Sequence, residues 1–258
     1  MKDKVKLLKI SLVVILLLVL VFIFKGVVLN IFKSIYNSFQ RTVIEEDRYV
    51  LFLQGLKATI IISFFSIVIG TILGFILFSF QKFKAKFLDL LSYAIVRFLQ
   101  GVPITVLLLV FYFGIFGSIN IKPIIVAIIA FSIYFSAYTA EIFKGAYASI
   151  NKIQIESAYA MGFTKSQTLK YIIIPQVLAY VIPVYKNESV SLIKLTSIAG
   201  YISIMELTKV SDIIRNRTYE AFFPLVFTAL IYFIICYLFS KLLDFIYKKV
   251  NPRMVHRV

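Results

Sequence analysis

Ionisable side chains inside long apolar runs are the first chemistry this sequence offers. Glu188 and Lys194 stand in a largely apolar stretch from Ile172 to Ile204, with Asn187, Thr196 and Ser197 beside them. Glu141 closes another apolar run. A charged group in hydrocarbon is costly, so it faces a protein interior or a water-filled cavity. There a carboxylate such as Glu188 can hold an α-amino group or a basic side chain through a charge-assisted hydrogen bond. It can equally pair with another span and only hold helices together. Glu188 and Lys194 lie about 240° apart around a helix and do not stack as a simple pair, whereas Asn187 and Lys194 share a face. Other chemistry is sparse. The lone Cys236 sits in an apolar run, can form no intrachain disulfide and reads as packing. The lone His256 lies in a basic tail and suggests no metal site. No nucleophile–base or metal-ligand cluster appears, which points away from an enzyme.

The elements that must position these residues follow from composition. The chain is 61% hydrophobic over 258 residues. Uncharged runs extend from Ala58 to Phe80, Phe98 to Ile121, Pro123 to Ala140 and Ala221 to Ser240. A bilayer core takes roughly 20 apolar helical residues, so each run is long enough to span. A soluble fold has no place to bury four of them, and a β-barrel would show short alternating segments instead. The expected class is an all-α integral membrane protein. Residues 1–24 start with Lys2, Lys4, Lys6 and Lys9 and continue apolar to Phe24. No small-x-small cleavage site follows, so an uncleaved N-terminal anchor is expected. A mixed-charge extracytoplasmic linker, 25–50, carries Glu45, Glu46 and Asp47. The Ile172–Ile204 stretch, interrupted by Pro175, Pro183, Lys186, Asn187, Glu188 and Lys194, reads as a broken or kinked span. The total is six spans with both ends on one side.

Charge orients them. The net charge of +16 resembles a nucleic-acid signal, but no basic stretch interleaved with aromatics occurs in a soluble region. Nucleic acid is not an expected partner; membrane lipid is. Lysines and arginines concentrate at the N-terminus, at Lys82, Lys84 and Lys86, at Lys144, Lys152, Lys165 and Lys170, and in the tail 248–258. The opposite loops hold fewer. The positive-inside rule then puts both termini and the segment 151–175 in the cytoplasm.

That segment reads INKIQIESAYAMGFTKSQTLKYIIIP from Ile150. Asn151 with Gln154, and Thr164 with Gln167, are capping-box-like pairs that open two short helices. Gly162 supplies the left-handed residue that ends the first, and Pro175 marks the return to the membrane. Ile153, Ser157, Ala160 and Met161 share one face of the first helix, where small and soft side chains admit close approach of a partner. A plain amphipathic surface helix is the competing reading.

Glu156, Ala158, Gly162 and Pro175 resemble the E-A-A…G…P cytoplasmic loop of ATP-binding-cassette importer permeases, with Ser157 in place of the second motif residue. FLQGLKATIIISFFSIVIGTILGF, GVPITVLLLVFYFGIFG, FSIYFSAYTAEIFKGAYASI and NESVSLIKLTSIAGYISIMELT look like successive blocks of the polar amino-acid uptake branch. The resemblance covers roughly 51–247. It implies a five-span permease domain with one extra N-terminal helix. It also implies that Glu156, Ser157, Ala158, Ala160, Met161, Gly162 and Pro175 form a coupling loop seated on a cytoplasmic ATPase pair. A second permease subunit, identical or related, and an extracytoplasmic amino-acid-binding protein complete the expected assembly. Asn187, Glu188, Lys194, Thr196 and Ser197 would line the translocation path, with Thr105 as a further polar contact. This sequence contains no G-x-x-x-x-G-K-[ST] phosphate loop, so ATP and Mg are expected on the partner and no cofactor in this chain. Leu195 and Leu107 replace polar residues usual in the family. An ion-gradient-driven secondary transporter is the alternative, suggested by the interrupted fifth run and the intramembrane charges. Gly70 and Gly74 form a G-x-x-x-G pattern suited to a span or subunit contact. Tyr134 and Tyr138 are expected as interface anchors.

Overall fold

A computed structural model describes residues 27–28, 30–81 and 86–250. The N-terminal anchor expected at 1–24 and the tail beyond 250 lie outside the described residues. Every regular element among those described is helical. After the helical segment 30–47, the α-helices are in order α1 (Arg48–Phe80), α2 (Lys86–Gly101), α3 (Ile104–Leu109), α4 (Pro123–Ala148), α5 (Lys152–Ala160), α6 (Lys165–Thr168), α7 (Ile174–Leu195), α8 (Leu207–Thr218) and α9 (Phe223–Val250). Among the described residues four helices are long and apolar enough to cross a membrane, or five when one bent pair is taken as a span.

The bent pair corrects one sequence expectation. The uncharged run Phe98–Ile121 is not one straight helix. It breaks at Val102–Pro103, where α2 meets the α3 run Ile104–Ile115 at 103°. Pro103 has no N–H and its ψ of 133° is extended, so the ladder stops and restarts there. The fifth run differs in the opposite sense. Of the expected broken or kinked span, the break is not made: it is one helical stretch, Lys165–Ile202. Pro175 falls in the first turn of α7, where a missing N–H is harmless, and Pro183 is carried inside the helix. The irregular turns sit at the two ends: wide ones at Leu169–Ile173 and tight 3-10 ones at Thr196–Ile202.

α4 is the central helix. Phe131, Phe135, Ala137 and Ala140 are fully buried, and Ile62, Leu108 and Leu192 reach the same core from α1, α3 and α7. α1 lies against α4 at near-backbone distance because Gly70 and Gly74 present no side chain. A Cβ on Gly70 would stand 2.8 Å from Ser132 O, and one on Gly74 would collide with Thr139 Oγ1 and lie 2.7 Å from Ser136 O. The G-x-x-x-G pattern is thus a contact between spans of this chain. Ser66 Oγ donates to Ile128 O across the same seam at 3.3 Å.

The segment expected as a linker is helical from residue 30. Phe39 packs edge-on against Phe223 and Phe227 of α9, and Val43 joins Phe52, Leu207, Val210 and Ile214 in a second small core. Glu46 and Asp47 are left-handed, with φ of 54° and 53°. The buried Arg48 holds this turn, pairing with Glu46 at 2.9 Å and donating to Arg41 O.

Candidate functional site

Two places bring the chemistry-bearing residues together: the elbow between α4 and α7, and the middle of α7.

The elbow is built by local signals. Asn151 Oδ1 accepts from Ile153 N at 2.9 Å and opens α5. The reciprocal half of the expected box is not made. Gln154 instead accepts from Gln176 Nε2 at 2.8 Å, tying α5 to the first turn of α7. Thr164 and Gln167 do form the full box, with bonds of 3.3 and 2.8 Å. α5 ends in a Schellman arrangement: Phe163 N donates to Ala158 O and Gly162 N to Tyr159 O, each at 3.0 Å. Gly162 has φ +83°, and a Cβ there would meet nothing within 4 Å. Its requirement is therefore conformational, not steric. Ala158 is the buried member of α5. Ile153 and Met161 are 66% and 68% exposed, and Glu156, Ser157 and Ala160 are exposed as well. The elbow thus turns its mixed apolar and small-residue face outward. Pro175 opens α7.

Glu188 lies in the middle of α7. It is half-buried and within electrostatic reach of the Tyr134 hydroxyl. Tyr134 Oη donates to Tyr138 Oη at 2.9 Å, with ring centroids 4.8 Å apart. These tyrosines, expected from the sequence as interface anchors, are partly buried and pack against the main core. Asn187 is exposed next to Glu188. Lys194 and Ser197 face elsewhere. They line a groove of about 600 Å³ with Thr208 of α8 and Thr228, Tyr232 and Cys236 of α9. Glu188 and Lys194 therefore do not form an ion pair, in keeping with their 240° separation. Thr196 is fully buried and its hydroxyl donates to Ile193 O at 2.7 Å, which turns it away from that groove. Thr105 is half-buried on the first turn of α3. Glu141 pairs loosely with Lys144, at 3.8 Å.

Sequence reasoning missed three groups. Tyr134 and Tyr138 were read by their type and not by the face they share at i and i+4. Glu206 was not singled out. It is fully buried, caps α8 through Thr208 N (2.7 Å) and Lys209 N (2.6 Å), and accepts from Tyr232 Oη at 3.0 Å. Burial pushes its carboxyl above the usual range, although those donors pull it down. An acidic residue just before the apolar spacing Leu207, Val210, Ile214 is the helix-start signal that would have found it.

Residues 66–256 match the family described as "Binding-protein-dependent transport system inner membrane component". The chain is 33% identical to the probable amino-acid ABC transporter permease protein YckA of Bacillus subtilis (strain 168), over 84% of this chain and 95% of that one. It is 26% identical to the histidine/lysine/arginine/ornithine transport system permease protein HisQ of Escherichia coli (strain K12), over 70% and 85%. Among solved structures, an amino acid ABC transporter crystallised with histidines superposes with TM-score 0.71 at 31% identity, covering 78% of this chain and 94% of that chain. An inward-facing MetNI methionine ABC transporter chain shares the fold, with TM-score 0.62 at 20% identity over 81% and 100%.

Proposed function

The chain belongs to the binding-protein-dependent transport system inner membrane component family, and from that membership we propose that it is the permease subunit of an ATP-driven amino-acid importer. It conducts and does not catalyse. Its elbow at 151–175 seats on a cytoplasmic ATPase pair, which holds ATP and Mg. A second permease chain completes the passage, and an extracytoplasmic binding protein delivers the amino acid. The protein is multi-pass in the cytoplasmic membrane of a bacterium, with both termini and the elbow on the inner side. The permease domain runs from 51 to 247.

The observation that carries this reading is mechanical continuity. The exposed face of α5 ends at left-handed Gly162, and Gln154–Gln176 ties α5 to the first turn of α7. The helical run from Lys165 then continues without a break to Ile202, through Glu188. A push on the elbow therefore reaches the polar middle of α7. Glu156, Ser157, Ala158, Ala160, Met161, Gly162 and Pro175 make up the coupling element. Glu188 is the main substrate contact on the path, facing Tyr134 and Tyr138, with Asn187, Lys194, Ser197 and Thr105 as further polar positions and Thr196 behind them. An ion-gradient mechanism is not favoured, since it gives the exposed two-helix elbow no role.

Gly162→Val tests the coupling role. A β-branched residue in a left-handed conformation strains the elbow by about 1 kcal/mol or more. The variant should still insert in the membrane, yet co-purify less ATPase and lose uptake. Intact uptake and intact ATPase association would remove the coupling assignment.

A further inference from the structure

One turn of α7 is tied down on three sides just beyond a proline. Tyr185 Oη lies 2.6 Å from Thr71 Oγ1 of α1, and its ring meets Phe135 of α4 edge-on at 5.8 Å. Lys186 Nζ donates to Asp244 Oδ1 of α9 at 2.7 Å. Glu188, two residues on, is within electrostatic reach of Tyr134 of α4. Pro183 stands three positions before Lys186 and removes one rung of the helical ladder. A helix loosened there does not pass its rotation unchanged from the elbow to Glu188, so something beyond Pro183 must set it.

Lys186 and Glu188 are two residues apart, about 200° around the helix. Holding the first against α9 turns the second to the opposite side. Separating the two would leave Lys186, the more buried of the pair, without its carboxylate, a larger penalty than breaking a neutral hydroxyl bond. We propose that Lys186 and Asp244 are a positioning pair: their ion pair fixes the rotation of α7 beyond Pro183 and so aims Glu188 at Tyr134 and Tyr138. Neither residue touches substrate in this role. The proposal rests on the reading of Glu188 as a path residue, and its test separates the two.

The chain has a single cysteine, Cys236, so Cys236→Ser with Glu188→Cys gives one reporter thiol. It is labelled with a water-soluble maleimide in membranes holding the assembled transporter. Adding Lys186→Met should change the labelling rate several-fold, and replacing it by the reversed pair Lys186→Asp with Asp244→Lys should restore the rate. This arm does not require Glu188 to bind anything. In a second arm, with Glu188 intact, Lys186→Met should raise the KM for amino-acid uptake about tenfold with the maximal rate nearly kept, and charge reversal should recover it. Unchanged labelling in Lys186→Met overturns the proposal. So does a reversed pair that assembles normally yet keeps the shifted labelling. If charge reversal prevents assembly, Asp244→Asn decides: shifted labelling supports the pair and wild-type labelling overturns it. Unchanged uptake in Glu188→Gln removes the path reading alone, and the labelling arm still decides the orientation.

Discussion

Glu188 illustrates what a single residue in a span can and cannot disclose. Its type and its apolar surroundings already marked it as a residue with a partner, either a substrate or another span, because an unpaired carboxylate would be too costly there. What the sequence did not disclose was its company. Tyr134 and Tyr138 look like ordinary interface tyrosines until α4 is placed against α7, a pairing between elements about fifty residues apart that no local spacing encodes. With the pair in place, Tyr134 donates its proton to Tyr138, and on the proposed reading the Tyr138 hydroxyl would be a neutral contact beside the charged one of Glu188. Removing the charge should therefore cost more than removing a hydroxyl. Glu188→Gln is expected to keep normal assembly and weaken uptake about tenfold or more, the scale of a hydrogen bond to a charged group, whereas Tyr138→Phe should cost about threefold, the scale of a neutral one. Uptake kinetics across a panel of basic, polar-neutral and cystine-like substrates check both. Equal losses in the two variants would argue for a structural role for the carboxylate.

At the scale of elements, legibility tracked how local each signal is. Asn151, Gly162 and the Thr164–Gln167 box were readable because caps involve residues two to five apart, and the structure places them as caps. Gln154 was misassigned for the complementary reason: its partner, Gln176, lies two helices later. Pro103 and Pro183 show that a proline alone does not decide a break. Pro103 sits in an extended junction and bends the chain by 103°, while Pro183 is held in line by the tethered turn that follows it. G-x-x-x-G was legible as a contact but not as to which helix it meets. The structure makes that contact specific enough for a prediction. Gly74→Ala should destabilise by about 1–3 kcal/mol through overpacking, seen as faster thermal inactivation in detergent. Adding Thr139→Ala should rescue little, because the new methyl still stands 2.7 Å from the Ser136 carbonyl, which cannot move without moving α4. Full rescue by Thr139→Ala would show that the hydroxyl alone sets the approach of α1 to α4.

On the proposed reading, the whole molecule is a transmission driven from outside. Force would enter at a face that is outward-turned and partly apolar, Ile153 with Met161, and leave at a turn of α7 tied to α1 and α9. Between these points the chain offers one helical run and the Gln154–Gln176 tie. If that reading holds, activity should depend wholly on the ATPase pair proposed to sit at the elbow. The decisive arrangement is proteoliposomes holding the permease pair with or without the ATPase pair, loaded with binding protein and amino acid on the outer side. With the ATPase and internal ATP, uptake is expected. With the ATPase and no ATP, or with permeases alone under an imposed proton or sodium gradient, none is expected. Gradient-driven uptake by permeases alone would instead make the elbow an ordinary surface helix and return the charges of α7 to an ion-coupled mechanism. Met161→Asp sharpens the comparison. A charge on the exposed apolar face leaves the fold of α5 untouched, since that side chain packs against nothing inside the chain to speak of at 68% exposure. It should nevertheless abolish ATP-driven uptake by weakening the seat of the motor, with the amount of membrane-inserted permease unchanged.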